Sequence, residues 1–216
     1  MKKLLVLLVC AVSLVWATTV TAQLPGPGVR PVVKGGMVVT ILNSDEIQDG
    51  DAGFGFSLGA GAFMLLGNPR FAIQAEINYV DKRAWVRVQE GSSPGQTLTQ
   101  FEMQYKYLDV PVLIDWIFFE GPEMRAFLQG GPVASFLLGA KIEDQRNGEI
   151  VKEKISGLND ATFSMALGAG LQAGIITVEM RYYFGVTKIG DTGSASDPKA
   201  GDPRLDTLNF IFGLMF

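Results

Sequence analysis

The residues of this chain that are best suited to do chemistry are the charged side chains that interrupt its apolar, strand-like segments. They carry both signs and are Lys34, Glu76, Glu102, Lys106, Asp109, Glu179 and Arg181. Such groups can form a charged constriction or proton path, or they can neutralise one another as buried ion pairs. An unpaired charge in a narrow interior costs several kcal/mol, so we expect the network of ion pairs and keep the polar path as the alternative.

Histidine is absent from the chain, and its single cysteine is Cys10. Hydrolases generally need a histidine as general base, and zinc, copper and haem sites take histidine or cysteine ligands. We therefore expect a non-enzymatic protein with no catalytic residue, no cofactor and no metal. The acidic cluster of Asp45, Glu46, Asp49 and Asp51 offers oxygen ligands for calcium, but it matches no complete calcium loop and reads as a solvated loop.

The N-terminus has the pattern of a signal peptide. Met1-Lys2-Lys3 precedes an apolar run from Leu4 to Ala17, and Val20-Thr21-Ala22 offers small residues for cleavage. The run is shorter than the roughly 20 residues that a membrane helix needs. We predict a signal peptide at 1–22, a Pro/Gly-rich tether at 23–31 and one domain at 32–216. Loss of Lys2 and Lys3 takes the formal net charge from −4 to −6, an acidic balance that argues against nucleic acid as a partner.

Eight segments of the remaining chain alternate apolar with small or polar residues, which is the period of a β-strand. The predicted strands are 32–42, 53–66, 71–88, 100–118, 124–142, 161–173, 175–187 and 206–216. Tight turns alternate with long polar connections at 43–52, 89–99, 143–160 and 188–205. This order is typical of outer-membrane barrels, with the turns in the periplasm and the loops outside. The sequence predicts an all-β fold, an eight-stranded antiparallel up-and-down transmembrane β-barrel whose lumen is filled by side chains.

A water-soluble barrel with its apolar face inward is the alternative, because alternation alone does not say which face is enclosed. The polar face is largely Gly, Ser and Thr, too small and sparse for a typical water-facing surface. The chain also ends on an alternating apolar strand made of Leu208, Phe210, Phe212, Leu214 and Phe216. That strand is similar to the C-terminal strand of Gram-negative outer-membrane barrels, where the barrel-assembly machinery reads it as an insertion signal. We therefore favour the membrane barrel.

The segment at 100–118 departs from simple alternation. Its apolar residues lie at odd positions up to Tyr107 and at even positions from Leu108 onwards. We predict a β-bulge between these two residues that keeps both sets toward lipid, and regular pairing through 105–110 would disprove it. Residues 143–156 are predicted to extend a hairpin above the membrane, with Asn147-Gly148 as its turn and an edge that could recruit a partner strand.

Three stretches together carry a resemblance to a known family. Tyr107-Leu-Asp-Val-Pro-Val-Leu-Ile114, the run from Gly131 to Lys141, and Gly168-Ala-Gly170 with the hairpin after it resemble the PorT-like outer-membrane β-barrel family. The resemblance implies the fold and a location in the Gram-negative outer membrane, whereas most members have no assigned function. The family usually has Glu where this chain has Asp109.

Function follows only in outline from these observations. We expect a structural barrel, or one whose loops bind an extracellular ligand or an envelope protein, with outer-membrane lipid and the assembly machinery as general partners. A small pore or transporter that uses the charged lumen is one alternative. An accessory subunit of an envelope secretion or assembly complex is another.

Overall fold

Antiparallel β-strands make up almost all of the computed structural model, which describes residues 28–43, 51–89, 98–146, 149–154, 158–189 and 204–216. The strands are β1 (Val29–Asn43), β2 (Asp51–Leu65), β3 (Phe71–Gln89), β4 (Leu98–Glu120), β5 (Met124–Arg146), β6 (Glu149–Lys154), β7 (Ala161–Ala173), β8 (Ile176–Gly185) and β9 (Arg204–Met215). Nothing in these ranges forms an apolar helix of membrane-spanning length. The predicted signal peptide and the acidic residues Asp45, Glu46 and Asp49 lie outside the described residues.

The sheet closes on itself through its first and last long strands. β1 pairs with β9 from Val32 opposite Met215 to Asn43 opposite Arg204. Beyond this ladder the Phe216 backbone N–H donates to the Pro31 carbonyl at 2.9 Å. Since every barrel strand pairs with two neighbours, a closed antiparallel barrel of eight strands results, as the sequence predicted.

The ninth strand, β6, lies outside this ring. β5 pairs with β7 along Met124–Phe136 and with β6 only farther on, along 141–146. Arg146 lies opposite Glu149, so β5 and β6 pair as the strands of the predicted hairpin, whereas its predicted turn, Asn147-Gly148, lies outside the described residues. At the other end of the chain, β1 begins at Val29, inside the segment predicted to be a tether.

The outer surface of the barrel is apolar. Large side chains point away from the lumen on every barrel strand, with exposed fractions of 61% for Phe54 and 65% for Phe212. Phe210, Leu214 and Phe216 of the predicted insertion strand are exposed on the same face. The polar side chains are enclosed instead, so the prediction of a membrane barrel rather than a soluble one is confirmed for the arrangement of the two faces.

The predicted bulge in β4 is wrong. β4 keeps one unbroken register with β3, from Leu98 opposite Gln89 to Trp116 opposite Phe71. Two register shifts lie on the other edge of β4: Leu138 bulges from β5 opposite Lys106 and Tyr107, and Phe118 bulges from β4 near the turn end. Tyr105 and Tyr107 consequently point inward and are only 4% and 1% exposed.

Gly36 and Gly174 show two different reasons why this barrel needs glycine. A Cβ on Gly36 would lie 2.2 Å from the Phe210 carbonyl oxygen across the β1–β9 seam. Gly174, with φ of 56°, occupies the left-handed region in the tight turn between β7 and β8. A side chain is excluded by contact at the first position and strained by conformation at the second.

Candidate functional site: the barrel lumen and the sheet above it

The lumen is filled in layers along the barrel axis. At the end with the tight turns, an apolar plug consists of Val32, Phe63, Ala72, Ile117, Phe127 and Met215. At the end with the long loops, a second plug consists of Ala84, Tyr105, Tyr107, Ala140, Ile189 and Leu205. Polar and charged side chains occupy most of the space between the two plugs, beside a third apolar cluster of Leu113, Val133, Ala166 and Tyr183. The layering follows from strand geometry, because every second residue of each strand faces inward at successive heights.

Four of the seven predicted charges meet in one central network. Arg181 donates from both terminal nitrogens to the two carboxylate oxygens of Glu76, each at 2.8 Å. It also pairs with Glu179, and Lys34 bridges the same carboxylates, with its Nζ 2.7 Å from Glu76 Oε1. All four side chains are almost completely buried, and the two cations balance the two carboxylates. Such a fork from arginine to carboxylate is among the strongest polar contacts in proteins.

Neighbouring amides complete the shell of the two glutamates. Gln74 and Asn78 donate to Glu76 at 2.7 and 2.9 Å, and Gln129 donates to Glu179 at 3.1 Å. Gln74, Glu76 and Asn78 are alternate residues of β3, so the period of the strand places all three on one inward face. The network is therefore held by rigid strands, with hydrogen bonds on most of its acceptors.

Asp109 belongs to a second pair, nearer the loop end. Lys82 Nζ lies 3.1 Å from Asp109 Oδ2 and 4.8 Å from the centre of the Tyr107 ring. Sequence reasoning missed Lys82, although it continues the even-numbered inward series of β3. It also missed Asp115, which is buried in the lumen, although the alternation from Leu108 onwards places the odd-numbered residues of β4 inward.

Glu102 and Lys106 do not join the lumen network, and their predicted orientation is wrong. They lie on the opposite face of β4 from the buried tyrosines. Glu102 pairs there with Arg83 at 3.2 Å, and Arg83 also pairs with Asp81 at 3.3 Å. Asp81, Arg83 and Glu102 form what we call the outer cluster. The error has a physical cause: the loop end of the lumen is apolar and takes aromatic side chains, so an aromatic position there does not mark the lipid face.

Little free volume is left inside. A cavity lined by Lys34, Ser57, Glu76 and Tyr183, among others, measures about 10 Å³, which is roughly the room for one water molecule. Within the described ranges no three His, Cys, Asp or Glu residues gather as metal ligands. The geometry of this region is that of a packed core built from charges.

The outer face shows where the membrane ends. Outward side chains are apolar from Phe71 to Tyr79 on β3 and from Leu108 to Trp116 on β4, and charged residues follow on both strands. These belts match the roughly 9–11 residues with which a tilted strand crosses a bilayer. Aromatic pairs lie at both levels, Phe56 with Tyr79 at 5.8 Å and Trp116 with Phe118 at 6.2 Å between ring centres. They form the girdles expected at the two interfaces.

One side of the barrel rises above this belt. β3 and β4 remain paired as far as Gln89 and Leu98, and β5 continues with β6 as its neighbour. We call the four-stranded portion made of 80–89, 98–107, 138–146 and 149–154 the raised sheet. No other part of the described chain continues this far as paired strands beyond the apolar belt.

Comparisons with known proteins agree with this architecture. A family model described as "Outer membrane protein beta-barrel domain" matches residues 22–191. No curated protein matches the chain.

Three solved structures are similar in fold at low identity. Neisserial surface protein A is 11% identical, with a TM-score of 0.47 over 86% of this chain and 97% of that one. Ail of Yersinia pestis, in complex with the heparin analogue sucrose octasulfate, is 14% identical, with a TM-score of 0.43 over 88% and 99%. OprG of Pseudomonas aeruginosa is 11% identical, with a TM-score of 0.45 over 88% and 96%.

Proposed function

Since the chain belongs to the outer membrane protein beta-barrel family and is a protein of the Gram-negative outer membrane, we propose that it is a non-enzymatic binding protein of the cell surface. In this proposal the packed lumen is a rigid support, and the raised sheet binds an extracellular ligand or an envelope protein. The absence of histidine from the whole chain supports the non-enzymatic part.

The raised sheet is the observation that carries the proposal. A strand needs only about 9–11 residues to cross the bilayer, yet β4 and β5 are 23 residues long each. The additional length does not serve to span the membrane. It holds paired strands outside the membrane, with the outer cluster at their base.

The edge of the raised sheet offers a way to bind. Among the described strands, β6 pairs with β5 alone, so its other edge has backbone donors and acceptors without a strand partner. An extended segment of another protein can add to such an edge through main-chain hydrogen bonds. A segment with this geometry is the partner that the raised sheet fits best.

Site-specific photo-crosslinking in the native envelope tests the proposal. A photoreactive residue at Val151 in β6 should give a defined adduct, whereas the same residue at the lipid-facing Leu167 should give none. Normal heat-modifiable migration on gels would show that both variants form the barrel. Absence of any protein or glycan adduct from Val151 and from the neighbouring positions of β6 would refute a binding role for this edge.

A small pore is the second candidate, and the charges of both signs in the lumen favour it. The fixed ion pairs and the two apolar plugs weigh against it, because an ion would have to displace packed side chains from three successive layers. Conduction would need these layers to open.

The finer assignment to the PorT-like branch, and with it a role as accessory subunit of a secretion or assembly complex, is also a proposal. It rests on the stretch from Tyr107 to Ile114, whose Tyr107 and Asp109 surround Lys82 inside the barrel. Co-purification of envelope subunits under mild detergent is the result that this branch requires.

A further inference from the structure

Three inward side chains lie in the layer directly above the plug at the turn end. Gln74, Asp115 and Gln129 stand on the adjacent strands β3, β4 and β5, each two residues from a member of that plug. Asp115 is paired in register with Gln129 on one side and with Ala72 on the other. All three are at least nine-tenths buried.

The two amides have a fixed orientation. Gln74 Nε2 donates to Glu76 and Gln129 Nε2 donates to Glu179. Exchanging nitrogen and oxygen in either amide would place its carbonyl oxygen against a carboxylate, so each Oε1 must face away from its glutamate. Both Oε1 atoms, together with Oδ1 and Oδ2 of Asp115, are buried and have no hydrogen-bond partner.

The charge balance of the lumen also indicates that this layer lacks a positive charge. Lys34 and Arg181 offset Glu76 and Glu179, which leaves the carboxylate of Asp115 as one negative charge with no ion-pair partner. Arg181 stands in the same row of paired residues as Asp115 and Gln129, and its Nε is a buried donor that also lacks a partner. One N–H cannot serve four acceptor oxygens, and the guanidinium is held by Glu76.

We propose that Asp115, with the carbonyl oxygens of Gln74 and Gln129, binds a small monovalent cation of the sodium type inside the lumen. Hard cations take carboxylate and amide oxygens as ligands. A single positive charge makes this layer neutral, whereas a divalent ion would leave an excess positive charge. The apolar plug below separates the site from the periplasmic solvent, so the ion enters as the barrel folds and exchanges slowly afterwards.

Ion retention after refolding tests the site. The full barrel is refolded in detergent with ²²Na⁺, passed into a choline buffer free of sodium, and counted. About one ion per barrel is expected for the wild type, and none above background for Asp115→Asn. Glu120→Gln is the matched control, because it removes an exposed carboxylate at the turn end and should retain the ion as the wild type does.

Each other outcome overturns the proposal. These outcomes are a wild type that retains no sodium, an Asp115→Asn barrel that retains as much as the wild type, and ⁴⁵Ca²⁺ retained in place of ²²Na⁺. The first would mean that Asp115 holds a proton or contacts water only. If Asp115→Asn does not fold, Gln129→Met and Gln74→Met each remove one ligand oxygen and should also abolish retention; unchanged retention in both contradicts the site.

Discussion

The central network and the outer cluster contain the same kinds of groups in opposite surroundings. Arg181 is completely buried between Glu76 and Glu179, whereas Arg83 pairs with Asp81 and Glu102 while its side chain is 40% exposed. A buried charge that loses its partner has no water to replace it, but an exposed one is solvated at once. We therefore expect the lumen charges to stabilise the barrel, whereas Arg83, which stays partly exposed, can be removed at little cost.

The largest effect is expected at the centre of the network. Arg181→Met leaves two buried glutamates with Lys34 as the one remaining cation of the network, and we expect a loss of about 3–5 kcal/mol in the free energy of unfolding. Urea titration of the barrel in lipid vesicles, followed by tryptophan fluorescence, measures it. A loss below about 1 kcal/mol would show that the network does not stabilise the barrel.

The seam between β1 and β9 gives a second large effect, independent of charge. Gly36→Ala places a Cβ within 2.2 Å of the Phe210 carbonyl oxygen, so the strands must separate locally. We expect about 1–3 kcal/mol of destabilisation from such overpacking. Gly139→Ala is the control, since a Cβ there meets nothing within 4 Å. Equal stability of the two variants would mean that the seam is not this tight.

A smaller effect is expected at the outer cluster. Arg83→Met should change the unfolding free energy by only about 0–1 kcal/mol, because Arg83 is itself 40% exposed and the nearly buried Asp81 still accepts a hydrogen bond from Gln104 at 2.6 Å. The crosslinking yield from β6 should fall in the same variant if the raised sheet binds through its charged base. A destabilisation as large as that of Arg181→Met would remove the distinction between the two clusters.

A high salt concentration should separate the central network from the outer cluster more clearly. The Debye length falls from about 10 Å at 0.1 M to about 3 Å at 1 M salt, which screens exposed pairs far more than buried ones. The small difference between wild type and Arg83→Met should therefore vanish at 1 M potassium chloride, while that of Arg181→Met persists. Unfolding titrations at both concentrations decide this, and an equal decrease for both variants would contradict it.

The sequence predicted those parts of the fold that follow from the two-residue alternation of side chains along a β-strand. Glu179 and Arg181 were placed inside because they alternate with Val178 and Met180 on one strand, and the eight barrel strands followed from the same rule. The same rule could not show which residues of β4 face inward in its first part, up to Tyr107. Tyr105 and Tyr107 satisfy the alternation of a lipid face equally well, and only the closed sheet shows that an apolar plug accepts them.

The ion-pair partners within the lumen could not be predicted from the sequence for a related reason. Alternation states that Lys34 and Glu76 face inward, but it does not state which of them meet across the barrel. That depends on the register of all eight strands, including the residue that bulges from β5. Alternation alone places Asp115 inward, but its pairing with Gln129 depends on that register.

Conductance in a planar bilayer tests most directly the claim that paired charges and apolar plugs close the lumen. The purified wild-type barrel, inserted in one orientation in 1 M potassium chloride, should give no steady unitary current at 100 mV. A reproducible unitary conductance that disappears in Arg181→Ala would contradict the account, because ions would then be passing through the layer in which that arginine is held.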